Sequence, residues 1–326
     1  MPPTPSPARR RLLLAAGAAV VAIVAAVAVD AAVLVHRIPT VEVTPPGSRD
    51  GTAYLLLASD SRDRLPAGDR ERYADRAQAT GERADLVLVL RRTAAGEAEV
   101  LSIPRDLYVG ARAGDPHRLG LALEGGAQTM VTSLCRDLGI GVDHVAILDF
   151  RGLIDLVDST GGVLVSTREP LRDLKAGLSL PRAGRHRLGG EQALAWVRSR
   201  QPEVLRDGRW TPLAGADRTR TSHAVDVLEQ AAAGLDGPVA AHRALWALGP
   251  RLRRDDGLGV RATASLALDL RAAVAAGRVR TAPARSTSTE VPVAFATAET
   301  RAALAPFQTP SCTTAPQAPA PQAPAP

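Results

Sequence analysis

The chain has 326 residues, 45% of them hydrophobic, enough to bury a core in one large domain or two modest ones. Aromatic residues make up only 3%, which disfavours sites built on stacked bases or an aromatic sugar platform. The formal charge of +6 rests almost wholly on arginine, with Lys175 the one lysine. A GC-rich genome produces that bias as readily as selection for a basic face does, so no nucleic-acid partner is expected.

Residues 12–29 contain only Ala, Val, Leu, Ile and Gly, and the apolar run continues to residue 35 after Asp30. At about 1.5 Å per residue it matches the ~30 Å hydrocarbon core of a bilayer. Arg9, Arg10 and Arg11 precede it. The positive-inside rule then leaves residues 1–11 in the cytoplasm, sends 12–35 across the cell membrane as a single pass, and puts everything from 36 outside. The run exceeds the ~7–15 residues usual for a signal-peptide core, so a retained anchor is preferred over cleavage near Ala25 to Ala32.

Residues 36–50 read as a Pro-containing linker. Short apolar runs predict strands at 53–58 (AYLLLA), 86–90 (LVLVL), 100–103, 145–148 and 163–165. Helices are expected at 128–138, 151–158, 191–198, 217–233 and 261–276. The alternation predicts the α/β class: a three-layer α/β/α sandwich with a central mixed sheet, preceded by one transmembrane helix. The extracellular domain is placed at 51–306, with its core at 52–230. A disordered Pro/Ala-rich tail is expected over 307–326. Gly125-Gly126 and Gly161-Gly162 read as turns, and His117, His144, His186 and His223 are too scattered to suggest a metal site.

Two cysteines, Cys135 and Cys312, allow at most one disulfide, and no further zinc-type ligands cluster near them. An oxidising exterior would let them bridge and tie the tail to the domain; the sequence leaves free thiols equally open.

Four charged clusters fall at predicted element ends: Ser59-Asp60-Ser61-Arg62, Arg83-Ala84-Asp85, Ser102-Ile103-Pro104-Arg105-Asp106, and Arg198-Ser199-Arg200 with Asp217 and Arg220 beyond. Alone, each fits a surface ion pair, or for the last a response to the helix macrodipole. Together they supply carboxylates for a hard cation and arginine forks for phosphate oxygens, at strand ends where α/β sheets gather ligands.

Taken in order, LLLASDSR, RADLVLV, VLSIPRDLYV, GGV, LGGEQALAWVRSR and ADRTR resemble the LytR-CpsA-Psr family over about residues 52–229. The resemblance implies an α/β/α domain of bacterial cell-wall phosphotransferases. These move a glycopolymer from a polyprenyl-pyrophosphate carrier onto peptidoglycan at the membrane, with Mg²⁺ assisting. It further implies Asp60 and Asp85 as metal ligands. Arg62, Arg83, Arg105, Arg198, Arg200, Asp217 and Arg220 become the pyrophosphate site, with Arg105, Asp106, Arg198 and Arg200 nearest the reacting centre. The chain departs from the family pattern in three places, one of them a longer and strongly charged stretch between Arg62 and Arg83. His223 and Ala224 stand where an Arg-Gln pair is expected, and HRLG at 117–120 lacks the Lys and Asn of a Lys-x-Asn element. A catalytically weakened lipid-pyrophosphate or wall-binding protein is the alternative. A transcriptional regulator is disfavoured by the membrane topology.

Overall fold

In the computed structural model, residues 7–61, 81–213, 220–287 and 293–312 are described. The apolar N-terminal run forms helix α1 (Pro7–His36), and its stretch Ala16–His36 is long and apolar enough to cross a bilayer, with mean hydropathy 2.7. Its end is covered by protein: Leu34, Val35 and, just beyond, Ile38 are buried. The expected linker is likewise packed down. The Val41 N–H donates to the Arg254 carbonyl at 2.8 Å and the Arg254 N–H to that of Pro39 at 3.0 Å.

The central sheet begins with β1 (Thr52–Ser59), β2 (Ala84–Arg92) and β3 (Ala98–Ile103), an antiparallel trio. The short pair β4 (Tyr108–Val109) and β5 (His117–Arg118) follows, then helix α2 (Ala127–Leu138) and strand β6 (His144–Asp149). Strand β6 lies parallel to β1 on its other side. Alternation along these strands creates the layers, because successive side chains point to opposite faces. Leu55, Leu57, Val87 and Val89 face one way and pack with Met130, Val131 and Leu134 of α2. Tyr54, Leu86, Leu88 and Leu90 face the other way.

A second lobe follows. Helix α3 (Phe150–Ser159) leads to strands β7 (Val163–Thr167), β8 (Leu171–Asp173), β9 (Leu178–Leu180) and β10 (Gly184–Leu188), then to helix α4 (Gly190–Arg198). Strands β11 (Glu203–Arg206) and β12 (Arg209–Pro212) complete small sheets in the orders β10-β7 and β12-β11-β8-β9. The strand expected at 163–165 is present but stands in one of these, outside the central sheet. Helix α5 starts at Arg220 and runs to Ala233; the expected start at 217 lies outside the described residues.

Helix α6 (Gly237–Leu248), strand β13 (Leu252–Arg254), helix α7 (Val260–Ala275) and strand β14 (Val279–Thr281) return the chain to the central sheet. Its order is β13-β6-β1-β2-β3-β14, mixed as expected. Helices α5 and α7 cover the Tyr54 face through Ala224, Val225, Leu228, Leu266 and Leu270, which remain only partly buried.

Strands β15 (Ala284–Ser286) and β16 (Ala294–Ala296) and helix α8 (Ala298–Leu304) finish the described domain. The loose tail expected from 307 meets a packed segment instead. Phe307, Thr309 and Cys312 are buried, Gln308 bridges to Ile140, and Cys312 is disulfide-bonded to Cys135. Phe307 supplies the apolar area, and the covalent bond removes the freedom that Pro and Ala would otherwise give the segment.

Candidate functional site

The ends of β1, β3 and β6 and the start of β2 share one edge of the sheet, since Ser59 is opposite both Ala84 and Asp149, and Val87 is opposite Ile103. Three of the four charged clusters therefore converge. The register slips between Ala58 and Ser59. Ala58 pairs with Leu86 and Ser59 with Ala84, so Asp85 is the extra residue of a β-bulge, a device that re-aims a side chain at a sheet rim.

Asp60 and Arg83 are tied together by two hydrogen bonds, one between backbones and one to the Asp60 carboxylate. The Asp60 N–H donates to the Arg83 carbonyl at 2.9 Å, and the Arg83 N–H to Asp60 Oδ1 at 2.7 Å. The Arg83 side chain reaches outward, its Nε donating to Glu124 Oε1 at 2.8 Å. That hydrogen bond holds the guanidinium pKa above its usual value.

Arg105 is the centre of the cluster. Its Nη1 donates to Asp85 Oδ1, while its buried Nε has no hydrogen-bond partner and stands 3.6 Å from Asp106 Oδ2. Asp106 in turn accepts from Arg118 Nη1 at 3.3 Å. Arg118 belongs to the HRLG segment, so a cation occupies this neighbourhood even though the expected lysine is missing. Gly120 of the same segment is required: its N–H donates to the Arg105 carbonyl at 2.7 Å, and a Cβ there would meet the Ala84 carbonyl at 2.6 Å.

Beside this lies a network the sequence did not reveal. Ser59 Oγ donates to Glu82 Oε1, which also accepts from Arg253 Nη2 of β13. Asp149 caps α3 by accepting from the Gly152 N–H at 2.7 Å. Burial pushes its pKa up, against the lowering pull of that bond and of Arg251 and Arg253. An Asp directly after an apolar strand is the local signal that could have found this cap. Arg253 was not, because pairing with a partner so distant in sequence leaves no local signal.

The fourth cluster arrives from α4. Arg198 places its guanidinium 5.5 Å from the Phe150 ring, next to the end of β6. Arg200 is exposed, and its backbone N–H donates to Asp173 Oδ2 at 2.9 Å. His223 lies apart, stacked on Trp196 at 4.4 Å between ring centroids, and burial lowers its pKa. Arg62 and Asp217 lie outside the described residues, as does the side chain of Arg220, which opens α5.

Among the described residues no group of three or more His, Cys, Asp or Glu forms a metal cage. Mg²⁺ needs none, since it commonly takes one or two carboxylates plus substrate phosphates and waters. Asp60 and Asp85 suit it in that way, as hard oxygen donors on one sheet edge beside arginines.

The model of the LytR_cpsA_psr family matches residues 24–225. The probable cell wall biosynthesis protein LcpB of Corynebacterium glutamicum is 33% identical over 166 residues, covering 51% of this chain and 40% of LcpB. The polyisoprenyl-teichoic acid–peptidoglycan teichoic acid transferase TagT of Bacillus subtilis is 31% identical over 162 residues, covering 48% of this chain and 47% of TagT. The chain thus spans less than half the length of either relative. A solved LytR-Csp2A-Psr enzyme from Actinomyces oris superposes with a TM-score of 0.69 at 28% identity, covering 84% of this chain and 97% of that one.

Proposed function

The chain belongs to the LytR-CpsA-Psr family, and from that premise we propose that it is a Mg²⁺-dependent phosphotransferase, attaching a glycopolymer from a polyprenyl-pyrophosphate carrier to peptidoglycan on the outer side of the cell membrane. The observation that carries the reading is Arg105: a half-buried guanidinium held between Asp85 and Asp106 at the sheet edge where three charged clusters meet. A guanidinium fixed in that way offers charge-assisted hydrogen bonds to diphosphate oxygens.

Arg105 and Arg198 would grip the diphosphate, with Arg83 and Arg118 adding positive charge at the rim. The partly buried seam between the sheet and helices α5 and α7 would take the polyprenyl chain. In the reaction a peptidoglycan hydroxyl attacks the phosphorus that carries the glycan. The bond to the bridging oxygen breaks, and polyprenyl monophosphate leaves with the electron pair, while the proton lost by the hydroxyl passes through solvent to the departing phosphate. Such transfers need chiefly positioning and charge neutralisation, which fixed arginines provide without reorganising. Mg²⁺ held by Asp60 and Asp85 would supply further neutralisation of the phosphate oxygens.

The test supplies full-length protein with a synthetic polyprenyl-pyrophosphate glycan, peptidoglycan fragments and Mg²⁺, and follows products by mass spectrometry. The expected result is glycan–phosphate–peptidoglycan plus polyprenyl phosphate, lost on chelation and in Arg105→Ala and Asp85→Ala. Tight lipid binding without product would mean that turnover has been lost, as His223 and Ala224 at the Arg-Gln position would suggest.

A further inference from the structure

We infer that helix α6 lies in the membrane–water boundary beside the anchor, seating the domain on the lipid surface. The inference rests on α1 spanning the bilayer.

The level of α6 follows from α1. Counting from Leu12, about 20 residues fill a ~30 Å hydrocarbon core, which puts the far boundary close to Asp30 and Ala31. The exposure of α1 changes at the same height. Val24, Val27 and Val29 are 62%, 65% and 63% exposed, whereas Leu34 and Val35 are 4% and 8% exposed. Lipid is the natural cover for the first group, and the domain covers the second. Between them sits Asp30, a carboxylate at a depth where it needs a partner. His242 of α6 provides one, its Nε2 2.5 Å from Asp30 Oδ2.

The rest of that stripe of α6 matches an interfacial helix. Val239, His242 and Trp246 are spaced three and four residues apart and so share a face. Trp246 Nε1 is 2.9 Å from His242 Nε2, and the Arg37 guanidinium lies 5.0 Å from the Trp246 ring. Tryptophan and arginine are residues that gather at membrane boundaries, with apolar bodies turned to lipid and polar tips to water. Val239 is 70% exposed, three residues from His242 on the same face of α6, where lipid would cover it. The seat would set the height of the sheet edge above the bilayer for a substrate whose tail starts in the same membrane.

The test compares two equally exposed apolar positions. Val239 on α6 and Leu174, in the turn after β8, are 70% and 74% exposed. The chain's own two cysteines are paired, so Val239→Cys and Leu174→Cys each add one labelling site for an environment-sensitive nitrobenzoxadiazole dye. Labelled full-length protein is reconstituted into phosphatidylcholine–phosphatidylglycerol vesicles, with and without shallow doxyl-lipid quencher. The expected result is blue-shifted emission at 239, quenched several-fold more strongly than at 174, which stays water-like. Water-like emission at 239 in protein that resists alkaline carbonate extraction would overturn the seat and leave the anchor standing. Release by carbonate would overturn both.

Discussion

Asp173 offers the sharpest test of how the second lobe holds the arginines of α4. Its side chain is 2% exposed and accepts five hydrogen bonds. Oδ2 takes Ser199 Oγ and the Arg200 and Gln201 N–H groups, each at 2.9 Å, and Oδ1 takes those of Lys175 and Ala176 at 3.1 Å. Burial raises its pKa, but the bonds from Gln201, Ser199, Ala176 and Arg200 outweigh it and the net shift is downward. In Asp173→Asn the amide oxygen can keep the Oδ2 partners, now without the charge, while its NH₂ faces two donors. Trading charge-assisted bonds for neutral ones and losing two gives about 2–4 kcal/mol of lost stability, a large share of a typical 5–15 kcal/mol. A carboxylate depressed in the folded state stabilises fully above its unfolded pKa of about 3.9, and that contribution is lost as pH falls through the folded value. Urea unfolding should therefore separate wild type from Asp173→Asn clearly at pH 7, and the gap should narrow in the acid range. Affinity for polyprenyl pyrophosphate should fall as well, because the turn carrying Arg198 and Arg200 loosens. Equal midpoints at pH 7 would refute the energetic argument. A destabilised variant with unchanged affinity would refute the positioning role.

Three further outcomes are expected. Removing the Cys135–Cys312 bridge, whose ends are 177 residues apart, should cost up to about 5 kcal/mol on the chain-entropy view, read as a lower melting temperature for Cys312→Ser than for oxidised wild type. Asp149→Asn retains a good helix cap and removes a buried charge whose pKa is raised, so stability at pH 7 should hold or rise. The loss of stability that wild type suffers as pH climbs past the unfolded carboxylate pKa should flatten in this variant. Leu55→Ala opens a cavity at a fully buried position of β1 and should cost about 2–5 kcal/mol in denaturant titration.

Much of the fold was legible because the relevant signals are local. AYLLLA and LVLVL are apolar throughout, as strands covered on both faces must be, and both became central strands. Asp60, Asp85 and Arg105 were legible for a related reason: charged residues that flank such runs, Asp85 before one and Asp60 and Arg105 after theirs, land at the sheet edge. The bulge that singles out Asp85 was hidden, since it depends on register between two strands. Glu82, Arg118 and Arg253 were hidden because their roles are fixed by partners in other segments. Asp173 gave no signal either: in sequence it looks like any charged residue in a polar hairpin, and only the fold brings the Ser199 turn onto it. The reach of the packed domain to Cys312 was masked by a Pro/Ala-rich composition, which describes the chain beyond it but says nothing of a buried Phe307.

Both outer strands of the central sheet, β13 and β14, come from the last third of the chain, while the four strands they flank come from the first half. A chain emerging N-terminus first thus carries a half-built sheet with two open backbone rows, the kind of surface on which neighbouring chains pair by mistake. Tethering by α1, where it spans a bilayer, would hold each nascent sheet apart from its neighbours while its closing strands are still to come. The bond to Cys312 can form only after both closing strands have been made, so that oxidation records a sheet whose edges are already filled.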